Sequence, residues 1–283
     1  MPDAPEHRFG QIHIDVARNS TDDFNPFHDP HRFDRILANP YPQPIVLGFQ
    51  LECLCGFLVE RLRDGAEERE RDPTLRFRNF QFTFADALWR DEACTIEVKP
   101  TALRTDPPAP AIRAAEDLPL AVDLRQLPDR SVLPGTPWFL KRKFLNTANA
   151  KNFLAGSLVD QTYYFDEIAE QVRFPELFPC ALASCALLEK AWSEGHDFMA
   201  DPMVYVAHAI SVDRVLAAAL RRNDVLHILA RGPSVVAGSR ALGGSDLVLQ
   251  RYHCAGLVRD QRVLYAADID LAPLQAIAGT RHP

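Results

Sequence analysis

From Ile45 to Leu62 the chain carries an apolar stretch, opening IVLGFQLECLCGFLV, that is long enough for about five helical turns at the 3.6-residue period. Ahead of it FGQIHIDV (9–16) alternates apolar and polar positions like a half-buried strand. Behind it RFRNFQFTFADAL (76–88) and CTIEVKPTAL (94–103) also read as strands. The second half repeats the order. LFPCALASCALLEKAWSEG (177–195) predicts a helix closed by Gly195, and VYVAHAISV, DVLHILAR, SDLVLQRYHCAGLV and RVLYAADIDL predict strands, with Gly243-Gly244 as a break before the third.

A weak internal repeat accompanies this order. Adding 132 carries Phe33, Asp34 and Ile36 onto Phe165, Asp166 and Ile168, and Cys53, Leu88, Arg90 and Ile96 onto Cys185, Leu220, Arg222 and Ile228. Between the halves stand Pro100, Pro107, Pro108, Pro110, Pro119, Pro128, Pro134 and Pro137, a density that stops long helices and ladders and leaves room only for short edge strands. The boundary is placed near residue 135, giving units 1–135 and 136–283. Each is one long helix followed by antiparallel strands, an α+β arrangement in which a sheet wraps round a central helix. That is the hotdog description, so the expectation is a double hotdog with two antiparallel sheets, either complete as a monomer or pairing again as a homodimer.

Composition narrows the function classes. With 47% hydrophobic residues over 283 positions the chain can bury a substantial core, and no apolar run reaches a membrane span. The N-terminal residues show no basic start followed by an apolar region, which predicts a cytoplasmic protein. A net charge of -7 argues against nucleic-acid or anionic-membrane binding. The six cysteines form no CxxC pair and lie mostly in apolar surroundings, so neither zinc nor a disulfide framework is expected. The mixed run RLRDGAEERERDPTLRFR reads first as a solvated helix end, and second as a phosphate contact through Arg61, Arg63, Arg69, Arg71, Arg76 or Arg78.

Candidate chemistry is concentrated in DDFNPFHDP (22–30). Asp-x-Asn-Pro is by itself a common turn composition, yet Asp23 and His28 are also two proton-transfer groups five residues apart. Together with Pro44-Ile45-Val46-Leu47-Gly48-Phe49, the motif Asp23-x-Asn25-Pro26-x-His28 resembles that of the (R)-specific enoyl-CoA hydratase and MaoC-like dehydratase family. The resemblance implies a hotdog fold and a catalytic Asp23–His28 pair. It further implies an Asn25 that holds the loop at the substrate site and a Gly48 amide that binds the thioester carbonyl. No metal or redox cofactor is implied, since coenzyme A or the phosphopantetheine of an acyl carrier protein is part of the substrate and the carrier the only expected partner.

Hydration of an enoyl thioester needs a base for water and an acid for the α-carbon, which a carboxylate and an imidazole sharing one water can supply. The developing oxyanion needs a fixed donor, and a helix N-terminus provides one. Gly48, without a side chain, would admit the thioester closely.

The chain departs from the family pattern at Asp29-Pro30, which follow His28 directly, at Leu47, where many members have His, and in carrying its motif in the first half. By the offset of 132 the second half has Ala155 and Asp160 where the first has Asp23 and His28, so one site per chain is expected. Asp22, Asp29 and His31 are expected to be solvated, with Asp22 as a substitute base, and Ser184 and Cys185 to be packed within a helix. The remaining alternatives are a thioesterase, acyltransferase or decarboxylase on an acyl thioester, and a non-catalytic acyl-thioester-binding protein.

Overall fold

A computed structural model describes residues 5–65, 76–99, 118, 121–237 and 247–278. Its helices are α1 (Gln11–Thr21), α2 (Gly48–Gly65), α3 (Thr147–Gly156), α4 (Phe178–Ala181), α5 (Ala183–Ser193), α6 (Arg214–Ala218) and α7 (Leu274–Ala278). Its strands are β1 (Glu6–Arg8), β2 (Phe77–Thr83), β3 (Ala93–Thr95), β4 (Ser131–Val132), β5 (Phe139–Phe144), β6 (Phe165–Asp166), β7 (Gln171–Val172), β8 (Met203–Asp213), β9 (Val225–Ala237), β10 (Val248–Val258) and β11 (Arg262–Pro273). Among the described residues no helix is long and apolar enough to cross a membrane.

The α+β class with antiparallel strands is as expected, but the strands do not divide into two sheets of one half each. A single seven-stranded sheet runs β2-β8-β11-β10-β9-β5-β4, so β2 of the first half pairs with β8 of the second, from Phe77↔Asp213 to Thr83↔Ala207. The first half's other strands are the short pair β1-β3 and the two-residue edge strand β4. The alternation in CTIEVKPTAL stops at Lys99-Pro100, and among the described residues of this stretch only Ala93–Thr95 join a strand ladder. β4 is the short edge strand allowed by the proline-rich connection. Gly195 (φ +82) follows α5 in the left-handed conformation that ends helices. Gly243-Gly244 and most of the connection lie outside the described residues.

FGQIHIDV contains the start of a helix, not a strand. Ile14, Ala17 and Thr21 are buried at helical spacing, whereas Ile12, which completes the apparent alternation, is 67% exposed. Gly10 opens the helix and His13 Nδ1 accepts the Gly10 N–H at 3.0 Å, the reciprocal half of a capping box. Helix α1 then packs on α3 so closely that a Cβ on Gly156 would stand 2.6 Å from the His13 carbonyl oxygen and 2.9 Å from Ala17 Cβ. Gln50, wholly buried, clamps this crossing to α2: its Nε2 donates to the His13 and Gly156 carbonyls (3.1 and 2.7 Å) and its Oε1 accepts the Leu47 N–H (3.1 Å). Replacing Gly156 by Ala is expected to lower stability by about 1–3 kcal/mol, since the clash is with backbone that cannot swing aside. A lower urea midpoint at an unchanged slope is the expected result.

The same local succession recurs in both halves. Helix α1 is followed by a left-handed residue, Asp22 (φ 54), and a 3-10 turn Pro26–His28 capped by the Asn25 side chain. Helix α3 is followed by left-handed Leu158 (φ 57) and a 3-10 turn Gln161–Tyr163 capped by the Asp160 side chain. The caps, Asn25 and Asp160, are 135 positions apart, so the offset of 132 is out of register here. Counted from the cap, Tyr163 stands where His28 does. Counted from the left-handed residue, Val159 stands where Asp23 does.

Candidate active site

The motif loop is built by its own hydrogen bonds. Asn25 Oδ1 accepts the Phe27 N–H (3.1 Å), Pro26 fixes the first residue of the 3-10 turn, and Asp23 Oδ1 accepts the Asn25 N–H (2.9 Å). The turn is joined to the entry of α2: Ile45 N–H donates to the Phe27 carbonyl (3.0 Å) and His28 Nδ1 lies 2.8 Å from the Ile45 carbonyl oxygen. A carbonyl only accepts, so Nδ1 carries the proton and Nε2 is the basic nitrogen. Burial drives the His28 pKa below its ordinary value, while the Asp23 carboxylate and the Ile45 carbonyl work against that fall and Arg18 adds to it. At neutral pH the imidazole is therefore neutral.

Asp23 is equally buried, 3% exposed. Its Oδ2 accepts the hydroxyl of Ser184 at 2.6 Å, and Ser184 Oγ is 3.0 Å from the Tyr205 hydroxyl. With the Ser184 proton given to the carboxylate, Tyr205 must donate to Ser184, and a chain of donors from Tyr205 through Ser184 to Asp23 results. Burial raises the Tyr205 pKa far above its ordinary value, so the phenol keeps its proton for this purpose. The carboxylate of a first-half loop is thus held by a helix and a strand of the second half.

A further acid–histidine pair lies beside this chain of donors. His208 on β8 and Glu52 on α2 are both wholly buried, with Nδ1 and Oε1 2.6 Å apart. β8 bulges where its pairing with β11 shifts from Asp270↔Ala207 to Leu271↔Tyr205. The extra residue brings Tyr205 and His208 to one face, ring centroids 4.8 Å apart.

Gly48 is the first residue of α2, and among the described residues its amide has no hydrogen-bond partner. That leaves a free donor at the positive end of an 18-residue helix. The space beside its Cα is taken by Phe84, whose Cζ would lie 2.9 Å from a Cβ. The glycine therefore admits the Phe84 ring, contrary to the expectation of room for a thioester. Further along α2 an open groove of about 180 Å³ runs between the helix (Cys53, Gly56, Phe57), β2 (Phe80, Phe82) and the second half (Tyr164, Leu177). Its rim carries the ion pairs Arg78–Glu176 (3.0 Å) and Arg173–Glu60 (2.7 Å).

The other sequence candidates separate clearly. Asp22 is exposed and pairs with Lys143, and His31 is exposed. Asp29 is not solvated as expected: it is 9% exposed and receives Arg18 at 2.9 Å. Burial works to raise its carboxyl, but Arg18 and the His31 N–H hold it below its ordinary value. Arg76 and Arg78 pair with Asp213 and Glu176 of the second half, and Arg61 lies over the Tyr163 ring, a use the phosphate reading did not foresee. The side chains of Arg63, Arg69 and Arg71 lie outside the described residues. All six cysteines are free, and burial pushes the Cys53 and Cys185 thiols up to about 12, which leaves them unreactive.

No protein-family profile matches the sequence, and no curated protein matches it. Among solved structures, one described as a MaoC domain protein dehydratase from Chloroflexus aurantiacus aligns over 95% of this chain and 93% of its own, with a TM-score of 0.50 and 8% identity. The chain shares its fold with this MaoC domain protein. A MaoC-like dehydratase aligns over 96% of both chains (TM-score 0.47, 9% identity), and an (R)-hydratase from A. caviae, 98% of which is covered, aligns over 53% of this chain (TM-score 0.33, 13% identity). At such identities the likeness is one of fold, and it is the fold implied by the motif.

Ser184, Tyr205, Glu52 and His208 were not singled out by the sequence as site residues, yet two of them leave a signal. Glu52 falls on the apolar face of α2 in the series Phe49, Glu52, Cys53, Gly56, and His208 shares the apolar phase of Val204, Val206, Ile210 and Val212. Ser184 and Tyr205 differ in no local pattern from packed residues; only the meeting of the halves gives them a partner.

Proposed function

We propose that the protein is a hydratase or dehydratase interconverting enoyl and 3-hydroxyacyl thioesters, with Asp23 and His28 as its acid–base pair. What carries this reading is the placing of a buried carboxylate and a buried, neutral imidazole on one loop, joined through Ile45 to a helix whose first amide has no partner among the described residues. The fold likeness agrees with it. The two halves would act together as a double hotdog with one site, the second half supplying Ser184 and Tyr205.

In the forward direction the pair takes a proton from a shared water as its oxygen adds to the β-carbon, and returns one proton to the α-carbon. The thioester oxygen gains charge at the same time, and the Gly48 amide is the donor placed to meet it. For that contact Phe84 turns away from Gly48. Asn25 acts through the loop, since its side-chain oxygen is spent on the Phe27 amide. Coenzyme A and the phosphopantetheine arm of a carrier protein present the same thioester to the site.

Mass spectrometry of the thioester after incubation tests the reading: the acyl group should gain one water while remaining attached to its carrier. Free thiol in its place would indicate a thioesterase, with Asp23 directing water to the carbonyl. Ser184→Ala removes one of the two hydrogen bonds that hold the Asp23 carboxylate among the described residues, and is expected to lower kcat about tenfold with little change in KM, as expected for a group acting through the carboxylate.

Activity should also fall on acidification. The depressed pKa of His28 means that kcat/KM is level at neutral pH and declines only below about 6.5, where the imidazole gains its proton. Stability follows the same sign. The unfolded state binds more protons than the native one between the unfolded value and the lowered native value, so His28's contribution is complete above about 6.5 and is lost as pH falls through the native pKa. A pH series of thermal midpoints, wild type against His28→Gln, reads this difference.

A further inference from the structure

The proposed reaction leaves Glu52 and His208 without a task. Both are wholly buried and joined at 2.6 Å through Oε1 and Nδ1, and burial raises the Glu52 carboxyl while His208 opposes the rise. Among the described residues their other polar atoms, Glu52 Oε2 and His208 Nε2, have no hydrogen-bond partner. A pair kept for structure alone would use both ends, as Gln50 does two residues earlier, where every polar atom of the side chain is bonded. Buried polar atoms without partners are rare because nothing repays their lost hydration.

Their surroundings connect the pair with the reacting groups. The imidazole is walled by three rings, Phe49 at 4.7 Å, Phe84 at 5.1 Å and Tyr205 at 4.8 Å between centroids. Phe84 is the ring that fills the space beside Gly48, and Tyr205 is the residue whose hydroxyl leads through Ser184 to Asp23. A chain entering between Gly48 and Asp23 would therefore displace or pass the rings packed on His208. The imidazole is packed by apolar rings on three sides, and the pair keeps two unbonded polar atoms, Glu52 Oε2 and His208 Nε2.

We infer that Glu52 and His208 form a second binding station, which takes a hydroxyl group on the acyl part of the substrate, so that the protein prefers oxygenated to plain alkyl thioesters. This rests on the acyl-thioester reading above. A hydroxyl suits either protonation arrangement of the pair: it donates to Nε2 when Nδ1–H is given to the Glu52 carboxylate, and accepts from Nε2–H when the pair holds a further proton. A carboxylate in the same place would face Glu52, and a methylene would leave both atoms unpartnered. Sites that hydrogen-bond a substrate hydroxyl reject the analogue lacking it far more strongly than an apolar pocket rejects one extra methylene.

The test uses saturated medium-chain acyl thioesters of pantetheine, which both carriers share and which the proposed reaction cannot turn over. One set is plain and the other bears a single hydroxyl on successive carbons beyond the third. Affinities are measured by calorimetry, together with the ¹⁵N resonances of the His208 ring. The expected result is that one hydroxylated isomer binds at least about tenfold more tightly than its plain counterpart and moves the His208 Nε2 resonance. In the double variant Glu52→Leu/His208→Phe the preference should vanish. Equal binding of plain and hydroxylated ligands, with the His208 resonances unmoved, would overturn the inference and leave the acyl-thioester reading standing. Absence of binding to any of them by the folded protein would remove that reading, and the inference with it.

Discussion

Replacing Asp23 by Asn is expected to slow hydration of an enoyl thioester by about 10²–10⁴-fold, the span covered by a general acid–base group. The fold should survive the change. An amide oxygen can accept the Asn25 N–H as the carboxylate does, and the new amide can donate to Ser184 Oγ, whose own proton then turns to Tyr205. The variant is therefore a change of chemistry at nearly fixed shape. Far-UV circular dichroism and the thermal midpoint would stay near the wild-type values while kcat collapses. His28→Ala should abolish turnover as well, but it also removes the contact to Ile45 and leaves a cavity, so its stability would drop. An Asp23→Asn variant that kept most of the wild-type activity would mean that the carboxylate only holds the loop.

The second large effect concerns stability. Replacing His208 alone by Leu leaves the Glu52 carboxyl wholly buried without its partner, and is expected to cost about 3–5 kcal/mol. Replacing Glu52 alone should also be costly, because the buried His208 ring is then left without its partner among Phe49, Phe84 and Tyr205. Removing both, as Glu52→Leu/His208→Leu, should cost less than either single change. Two well-packed apolar residues need no partner, and the cost of burying the polar pair disappears. Urea unfolding of the three variants reads the pattern directly. A double variant at least as unstable as the sum of the singles would show that the two residues contribute independently.

The residues that fix the loop were legible because their roles are local. Asp23, Asn25, Pro26 and His28 make or shape contacts within a few positions, and turn chemistry of that kind is visible in a sequence. Helix α2 and the four long strands of the second half were legible from periodicity over more than ten residues. The segment at 9–16 was misread because Ile12 and Ile14 satisfy a strand period over a window too short to exclude the helical one, which Ala17 and Thr21 decide. The joining of β2 to β8 was not legible, since strand pairing across more than a hundred positions leaves no trace in either strand's own pattern. The same holds for Ser184 and Tyr205, whose contact with Asp23 exists only through that assembly. The offset of 132 misses the register of the helix and capped turn found in both halves, whose capping residues Asn25 and Asp160 differ in kind and stand 135 positions apart.

The claim that this chain hydrates enoyl thioesters at Asp23 and His28 is tested most directly with the wild-type protein and a series of trans-2-enoyl thioesters, short to long, on coenzyme A and on a carrier protein. Loss of the conjugated absorbance and release of free thiol are followed in the same sample, with Asp23→Asn and His28→Ala alongside. The account predicts that the absorbance falls without thiol release in the wild type and persists in both variants. Thiol appearing in step with the loss of absorbance, or an absorbance that falls equally in the variants, would contradict it.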